Sequence, residues 1–338
     1  MIPPNVKKRG DDTGTFIHKN DELFVKICSL ENLFLAWNKF RRGKRARPDV
    51  MDYELRLEDN TFYLQDELLS GRYHHDAYEP FVVHDPKRRQ IHKASVKDRV
   101  VHQAVFNIIE SMFEKRFIYD SYSCRTDKGT HAATKRLRMF LNKTSANNIR
   151  TVYALKCDIQ KFFANVDHGI LMSLLTRQIS CNRTLKLLQK IISSFQVDPY
   201  RGIPLGNLTS QLFANVYMHE LDHFIKFELR EKYYLRYCDD FLILNQDRKH
   251  LDELTPIIQN FLQTRLRLSI HPNKILTRTP SQGIDFVGYV LFEHATVLRN
   301  KTVKRMIRKV NQENKTSYLG LCSHADTHEL QKRIKNIL

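Results

Sequence analysis

Tyr233-Tyr-Leu-Arg-Tyr-Cys-Asp-Asp-Phe-Leu-Ile-Leu-Asn245 sets two adjacent carboxylates, Asp239 and Asp240, between two apolar runs rich in β-formers. Runs of this kind on either side of a short polar pair predict a hairpin with the acids at its turn. Side-by-side carboxylates repel and raise each other's pKa unless a cation compensates them. An exposed acidic turn is the ordinary explanation of a bare Asp-Asp, because Asp suits turns. Flanking strands that read as buried shift the balance here to a metal site.

The composition narrows the partner. Lys and Arg total 55 against 37 Asp and Glu, a formal charge of +18 over 338 residues. A surplus of that size points to a polyanion, nucleic acid first. The 42% hydrophobic content supports a sizeable core in two or three subdomains. No run approaches the roughly 18 apolar residues of a membrane-spanning helix, and the N-terminus lacks an apolar signal core. A cytoplasmic protein with no membrane partner is expected. Six cysteines, Cys28, Cys124, Cys157, Cys181, Cys238 and Cys322, show no C-x-x-C spacing, so they are expected to be reduced and mainly core.

Working outward from the hairpin, Thr151 to Ile159 reads as a strand that delivers Asp158 near its end, with Lys161-Phe-Phe163 and Asp167 following. Taken singly, an Asp there is a helix N-cap. Beside Asp239 and Asp240 it completes a set of oxygen donors suited to Mg²⁺. Between these acids, Arg201-Gly-Ile-Pro-Leu-Gly-Asn-Leu-Thr-Ser-Gln211 is a Gly- and Pro-bearing loop opening a long helix. It is either a place where backbone approaches a ligand or a tight turn. Upstream, Phe81 to Lys93 predicts two strands around a basic turn, and Tyr122-Ser-Cys-Arg125 a polar turn before a basic helix over 130–141. Ser29 reads as the cap of an amphipathic helix bearing Leu30, Leu33, Phe34 and Trp37, which ends in the cationic run Arg41–Arg47. A helix is expected over 52–70, and residues 1–20 read as a loose tail. Downstream come a helix over 249–266, Lys274 after a turn, a hairpin from Gly283 to Leu291, and a helix with Val303, Met306, Ile307 and Val310 opposite a cationic face. Cys322-Ser-His-Ala-Asp-Thr-His328 holds metal-capable side chains, with no second cluster in the sequence to complete a zinc site.

In this order, the segments resemble a reverse transcriptase over about residues 30–330. Tyr237-Cys-Asp-Asp240 is similar to the family's Y-x-D-D box, and Lys156-Cys-Asp-Ile-Gln-Lys-Phe-Phe163 to its first carboxylate motif. Pro86-Lys-Arg-Arg89, Tyr122-Ser-Cys-Arg125, Gly202 to Gln211, Lys274 and Phe286-Val-Gly-Tyr289 add supporting matches. The resemblance implies an α+β right-hand polymerase: a basic N-terminal extension and helix to 59, fingers over 60–150, palm over 151–295 and a helical thumb over 296–338. It implies two Mg²⁺ ions, with Mn²⁺ as a substitute, spaced ~4 Å apart. The implied metal set is Asp158, Ile159, Asp239 and Asp240. It further implies Arg89 and Arg125 as triphosphate contacts, Leu205, Gly206 and Gln211 as nucleotide-binding residues, Lys274 as general acid for the leaving pyrophosphate, and Phe163 as the gate against a ribose 2′-hydroxyl.

Within the family, Leu205-Gly206, Ser210-Gln211 and Tyr318 to His328 most resemble enzymes of diversity-generating retroelements. That subfamily implies cDNA synthesis from a template-repeat RNA with errors at template adenines, dNTPs and an RNA/DNA duplex as ligands, and an accessory variability determinant oligomer as partner, in a bacterial or phage setting. Intron enzymes of the related group II type usually carry Gln where Leu205 stands; Leu cannot hydrogen-bond the nascent pair, so looser selection is implied. No maturase or endonuclease segment is expected within the 338 residues. The alternatives are a phage-defence enzyme, a free-standing intron-like enzyme, or a catalytically silent RNA-binding scaffold.

Overall fold

A computed structural model describes residues 21–84 and 88–336. The expected loose tail at 1–20 and the Pro86-Lys87 part of the basic turn lie outside the described residues. The N-terminal part is helical: α1 (Glu22–Cys28), α2 (Leu30–Phe40), α3 (Pro48–Leu55) and α4 (Leu57–Leu69). Ser29 caps α2 by accepting from Asn32 N–H, as its sequence position predicts, and the buried stripe is Leu33, Ala36, Trp37 and Phe40. The single helix expected over 52–70 is two helices, because Arg56 leaves helical geometry at φ −126°, ψ 42°.

A hairpin of β1 (Glu79–Val83) and β2 (Arg89–Lys93) follows, then α5 (Val96–Glu114) and α6 (Thr130–Thr144). β3 (Tyr153–Asp158) leads through α7 (Phe162–Asn165), α8 (His168–Thr176) and α9 (Asn182–Ser193) into α10 (Leu208–His223), which runs on as a π-helical turn over Phe224–Glu228. The predicted acidic hairpin is β4 (Tyr234–Tyr237) and β5 (Asp240–Asn245), followed by α11 (Arg248–Leu266) and β6 (Leu276–Arg278). β7 (Ile284–Phe286), β8 (Tyr289–Leu291) and β9 (Thr296–Leu298) precede α12 (Asn300–Lys309), α13 (Lys315–Cys322) and α14 (His328–Asn336). The two-stranded hairpin predicted at Gly283–Leu291 thus has a third strand, β9. The expected palm–thumb limit at 295 falls between β8 and β9, and the limit at 59 falls within α4.

The central sheet runs β4-β5-β3-β6, every pair antiparallel. Its strands are apolar on both faces because both are covered. Leu155, Cys157, Tyr234, Phe241 and Ile243 point into one core with the N-terminal helices, α5 and α8–α11. Ala154, Leu235, Leu242 and Leu244 point into a second core with α6, β7–β9 and the C-terminal helices. Side chains alternate along a strand, so this two-sided burial fixes the register: a slip of one residue would exchange the cores.

Candidate active site

Register builds the acidic centre. Asp158 ends β3 directly opposite Asp240, the first residue of β5, so the two carboxylates share a sheet face. Across this pairing the Asp158 charge repels that of Asp240. Tyr237 pairs with Asp240, which leaves Cys238 and Asp239 as a two-residue turn, and Cys238 adopts φ 57° to make it. The Asp239 carbonyl accepts from the Ile159 N–H at 3.2 Å, tying the turn to the end of β3. Ile159 itself is buried and bridges Ile270.

Beyond β3 the chain anchors Lys274. His271 N–H donates to the Asp158 carbonyl (2.8 Å) and Lys274 N–H to the His271 carbonyl (2.9 Å), within a short 3₁₀ turn. The Lys274 ammonium then lies 2.6 Å from Asp158 Oδ1. It therefore neutralises one of the acids. Lys156, two residues before Asp158 on the same face, is the second nearby cation, and its Nζ donates to the Asp285 carbonyl at 2.9 Å. Sequence reading passed over Lys156, although its i−2 spacing from Asp158 on a strand marks it.

These cations are not enough for three acids. Burial, then repulsion by Asp158 and Asp239, pushes the Asp240 carboxyl up to about 6, with Lys156 opposing. Burial and the charge of Asp158 likewise raise Asp239. Among the described residues no three His, Cys, Asp or Glu side chains close into ligating geometry, this trio included. The donor chemistry nevertheless fits a hard divalent cation: oxygen donors only, gathered at one strand end, and short of positive charge. The zinc-capable segment carries no such set; Cys322 is buried with its carbonyl accepting from Thr327 Oγ1, and the His324 ring lies tilted against His131, centroids 3.7 Å apart.

The raised Asp240 pKa has a sign that can be checked. An Asp titrates near 3.9 when unfolded. The folded protein therefore binds the proton more tightly, so this group's contribution to stability is full below about pH 4 and is lost as pH rises through about 6. Asp240→Asn is expected to stabilise metal-free protein at pH 7 by about 1–2 kcal/mol, raising its thermal midpoint, and to change little at pH 4. Melting in chelator at both pH values checks it; equal midpoints at pH 7 contradict the uncompensated charge.

The other expected contacts separate into those near this centre and those placed elsewhere. Phe163 is half-buried on α7 while its neighbour Phe162 is in the core, the rings meeting edge-on at 5.3 Å. The Phe163 carbonyl accepts from Ile203 N–H at 2.8 Å, which hangs the Gly202–Gln211 loop beside it. That loop reaches the β1–β2 hairpin at its other end: the Leu205 carbonyl accepts from His92 N–H, and Asn207 Nδ2 donates to the His92 carbonyl at 3.0 Å. Gly206 stands at φ 102°, where a Cβ would come within 2.8 Å of Ile91. The loop glycine thus serves close packing on the hairpin. Gln211 is half-buried on the first turn of α10. Arg89 is exposed at the start of β2 and makes no ion pair among the described residues.

Arg125 differs from the expected triphosphate contact. Its guanidinium is almost fully buried, pairs with both oxygens of Glu114 at 2.7–3.0 Å, and donates to the Ile118 and Ser121 carbonyls at 2.7 Å. These donors are committed inside the protein. In the Arg41–Arg47 run, Arg41 pairs with Glu54 and Lys44 caps the Phe40 carbonyl, while Arg42, Arg45 and Arg47 face solvent. No helix among the described residues is long and apolar enough to cross a membrane.

The family profile described as reverse transcriptase (RNA-dependent DNA polymerase) matches residues 84–291, which hold every acid of this centre. The chain belongs to the reverse transcriptase family. This reverse transcriptase is 25% identical over 280 residues to protein YkfC of Escherichia coli K12, covering 70% of this chain and 72% of that one. It is 23% identical over 287 residues to the group II intron-encoded protein LtrA of Lactococcus lactis, covering 65% of this chain and 46% of LtrA. It thus spans under half the length of that relative. Its fold is similar to telomerase from Candida albicans (TM-score 0.51, 11% identity, 68% of this chain and 46% of the other). Telomerase from Candida tropicalis gives the same TM-score at 13% identity, over 71% and 60% of the two chains.

Proposed function

We propose that this reverse transcriptase extends a DNA primer on an RNA template by nucleotidyl transfer at Asp158, Asp239 and Asp240. The observation that carries the reading is the register of β3 and β5, which sets Asp158 opposite Asp240 with Asp239 in the adjoining turn. Divalent cations, Mg²⁺ by donor type, would be held by these carboxylates and would supply charge for the attacking primer oxygen and the departing pyrophosphate. Lys274, 2.6 Å from Asp158, would give the leaving pyrophosphate its proton. Phe163, beside the loop of Leu205 and Gly206, acts as the sugar gate. Arg89 on the exposed hairpin meets the triphosphate, and the cationic face of α12, with Met306 buried behind it, lies along the duplex.

The template is a template-repeat RNA copied with errors at adenines, and the partner is an accessory variability determinant; Leu205, Gln211 and the Tyr318–His328 segment support this subtype. The likeness to LtrA favours an intron-type enzyme as the second reading. Sequencing cDNA made from RNA that co-purifies with the protein separates them. Substitutions concentrated at template adenines support the diversity-generating type. Evenly spread errors overturn it and leave the polymerase, whereas a folded protein without metal-dependent extension is a scaffold.

The gate has its own test. Phe163→Ala is expected to raise rNTP incorporation relative to dNTP by about 10–100-fold, since removing a ring opens room for one hydroxyl. Single-nucleotide extension with each sugar measures the ratio, and unchanged discrimination rules the gate out.

A further inference from the structure

Arg236 stands in β4, one residue before Tyr237-Cys-Asp-Asp240, and is wholly buried on the α10 side of the sheet. A guanidinium has five N–H donors in a rigid plane. Here Nε and Nη2 grip the two oxygens of Asp222 on α10 at 2.7 Å each. Nη2 also reaches Ser121 Oγ at 3.0 Å, while Nη1 meets Asn215 Oδ1 at 3.3 Å and the Cys238 carbonyl at 2.9 Å. The backbone is held too: Arg236 N–H donates to the Asp120 carbonyl and its carbonyl accepts from Tyr122 N–H, both at 2.9 Å. The segment after α5, the helix α10 and the acidic turn therefore meet at one side chain.

Neutralising Asp222 requires only the two-point ion pair. The contact with Cys238 does something else. That carbonyl belongs to the peptide entering Asp239, and Cys238 is held at φ 57°, a conformation that persists in an L-residue only where its surroundings enforce it. Turning the peptide would swing the Asp239 carboxylate away from Asp158 and Asp240.

We infer that Arg236 is a positioning residue for nucleotidyl transfer, holding the Cys238–Asp239 peptide by its carbonyl so that Asp239 faces the other two acids. The inference rests on the polymerase reading above. A bystander ion pair would stabilise the fold to the same extent without touching the turn.

The test separates the two roles. In Asp222→Leu/Arg236→Met the buried charges leave together, a replacement that buried pairs commonly tolerate, but no donor reaches the Cys238 carbonyl. Arg236→Lys keeps a charge for Asp222, yet one ammonium cannot span Asp222 and the turn. Each folded variant is expected to extend a DNA primer on RNA with kcat at least tenfold lower and the dNTP KM unchanged. Mn²⁺ binding, followed by its electron paramagnetic signal without turnover, weakens in parallel; the double variant melts lower, since Tyr234, Ser121 and Asn215 lose buried partners, so each variant is assayed below its own midpoint. Tyr234→Phe removes only the hydroxyl contact to Asp222 (2.6 Å); it should lower the midpoint and leave kcat alone. Wild-type kcat in either folded variant overturns the inference, and failure of both to fold assigns Arg236 to stability alone, which overturns it as well. A wild-type protein that extends no primer sinks the polymerase reading instead.

Discussion

Asp239→Ala, Asp240→Ala and Asp158→Ala are each expected to lower primer extension by at least ~10³-fold, about 4 kcal/mol of transition-state stabilisation. The magnitude follows from geometry. Asp158 and Asp240 are register partners and Asp239 occupies the turn beside them, so no neighbouring carboxylate is spare to replace a lost one. Lys274 already occupies Asp158, and Lys156 is engaged by Asp285. For Asp239 and Asp240 the loss is not expected to come from unfolding. Burial and mutual repulsion raise Asp239 and Asp240, so removing either charge relieves the metal-free protein rather than weakening it. Single-nucleotide incorporation beside a melting curve makes the comparison. Undiminished incorporation by a folded Asp239→Ala/Asp240→Ala variant ends the case for this centre.

Arg125→Ala is expected to lower stability by about 2–3 kcal/mol, at or below the range for breaking a buried ion pair from one side, because Glu114 keeps partial exposure. The change leaves Glu114 without its bidentate partner and strips the Ile118 and Ser121 carbonyls of a donor in a nearly buried site. A residue whose main work is triphosphate contact would behave otherwise: the apparent KM for dNTP would rise sharply and the fold would hardly change. Urea unfolding together with dNTP titration distinguishes them. A midpoint equal to wild type, combined with a large KM increase, shows that Arg125 leaves Glu114 during turnover.

Local pattern made much of this protein legible. The apolar runs around Asp239-Asp240 became β4 and β5, the run ending at Asp158 became β3, and Ser29 caps α2, because short runs of β-formers and capping chemistry are written in adjacent residues. The sequence leaves Gly206 open between ligand approach and turn; its φ and the nearness of Ile91, from a hairpin over a hundred residues earlier, show a packing reason for glycine that no local pattern carries. The helix break at Arg56 also escaped notice, since no Gly or Pro marks it.

Sequence order and residue type alone established three acids, their strands, and the family they resemble. The tertiary structure decided which charged groups are partners. Arg125 reads as a phosphate contact in its motif, but faces Glu114 once α5 turns back on it. Arg236 is a lone charge in an apolar strand, and meets Asp222, Ser121 and the Cys238 carbonyl when three distant segments converge. The reason is physical: strand and cap signals depend on neighbours along the chain, whereas a buried charge takes its role from whatever donors and acceptors the fold brings within about 3 Å.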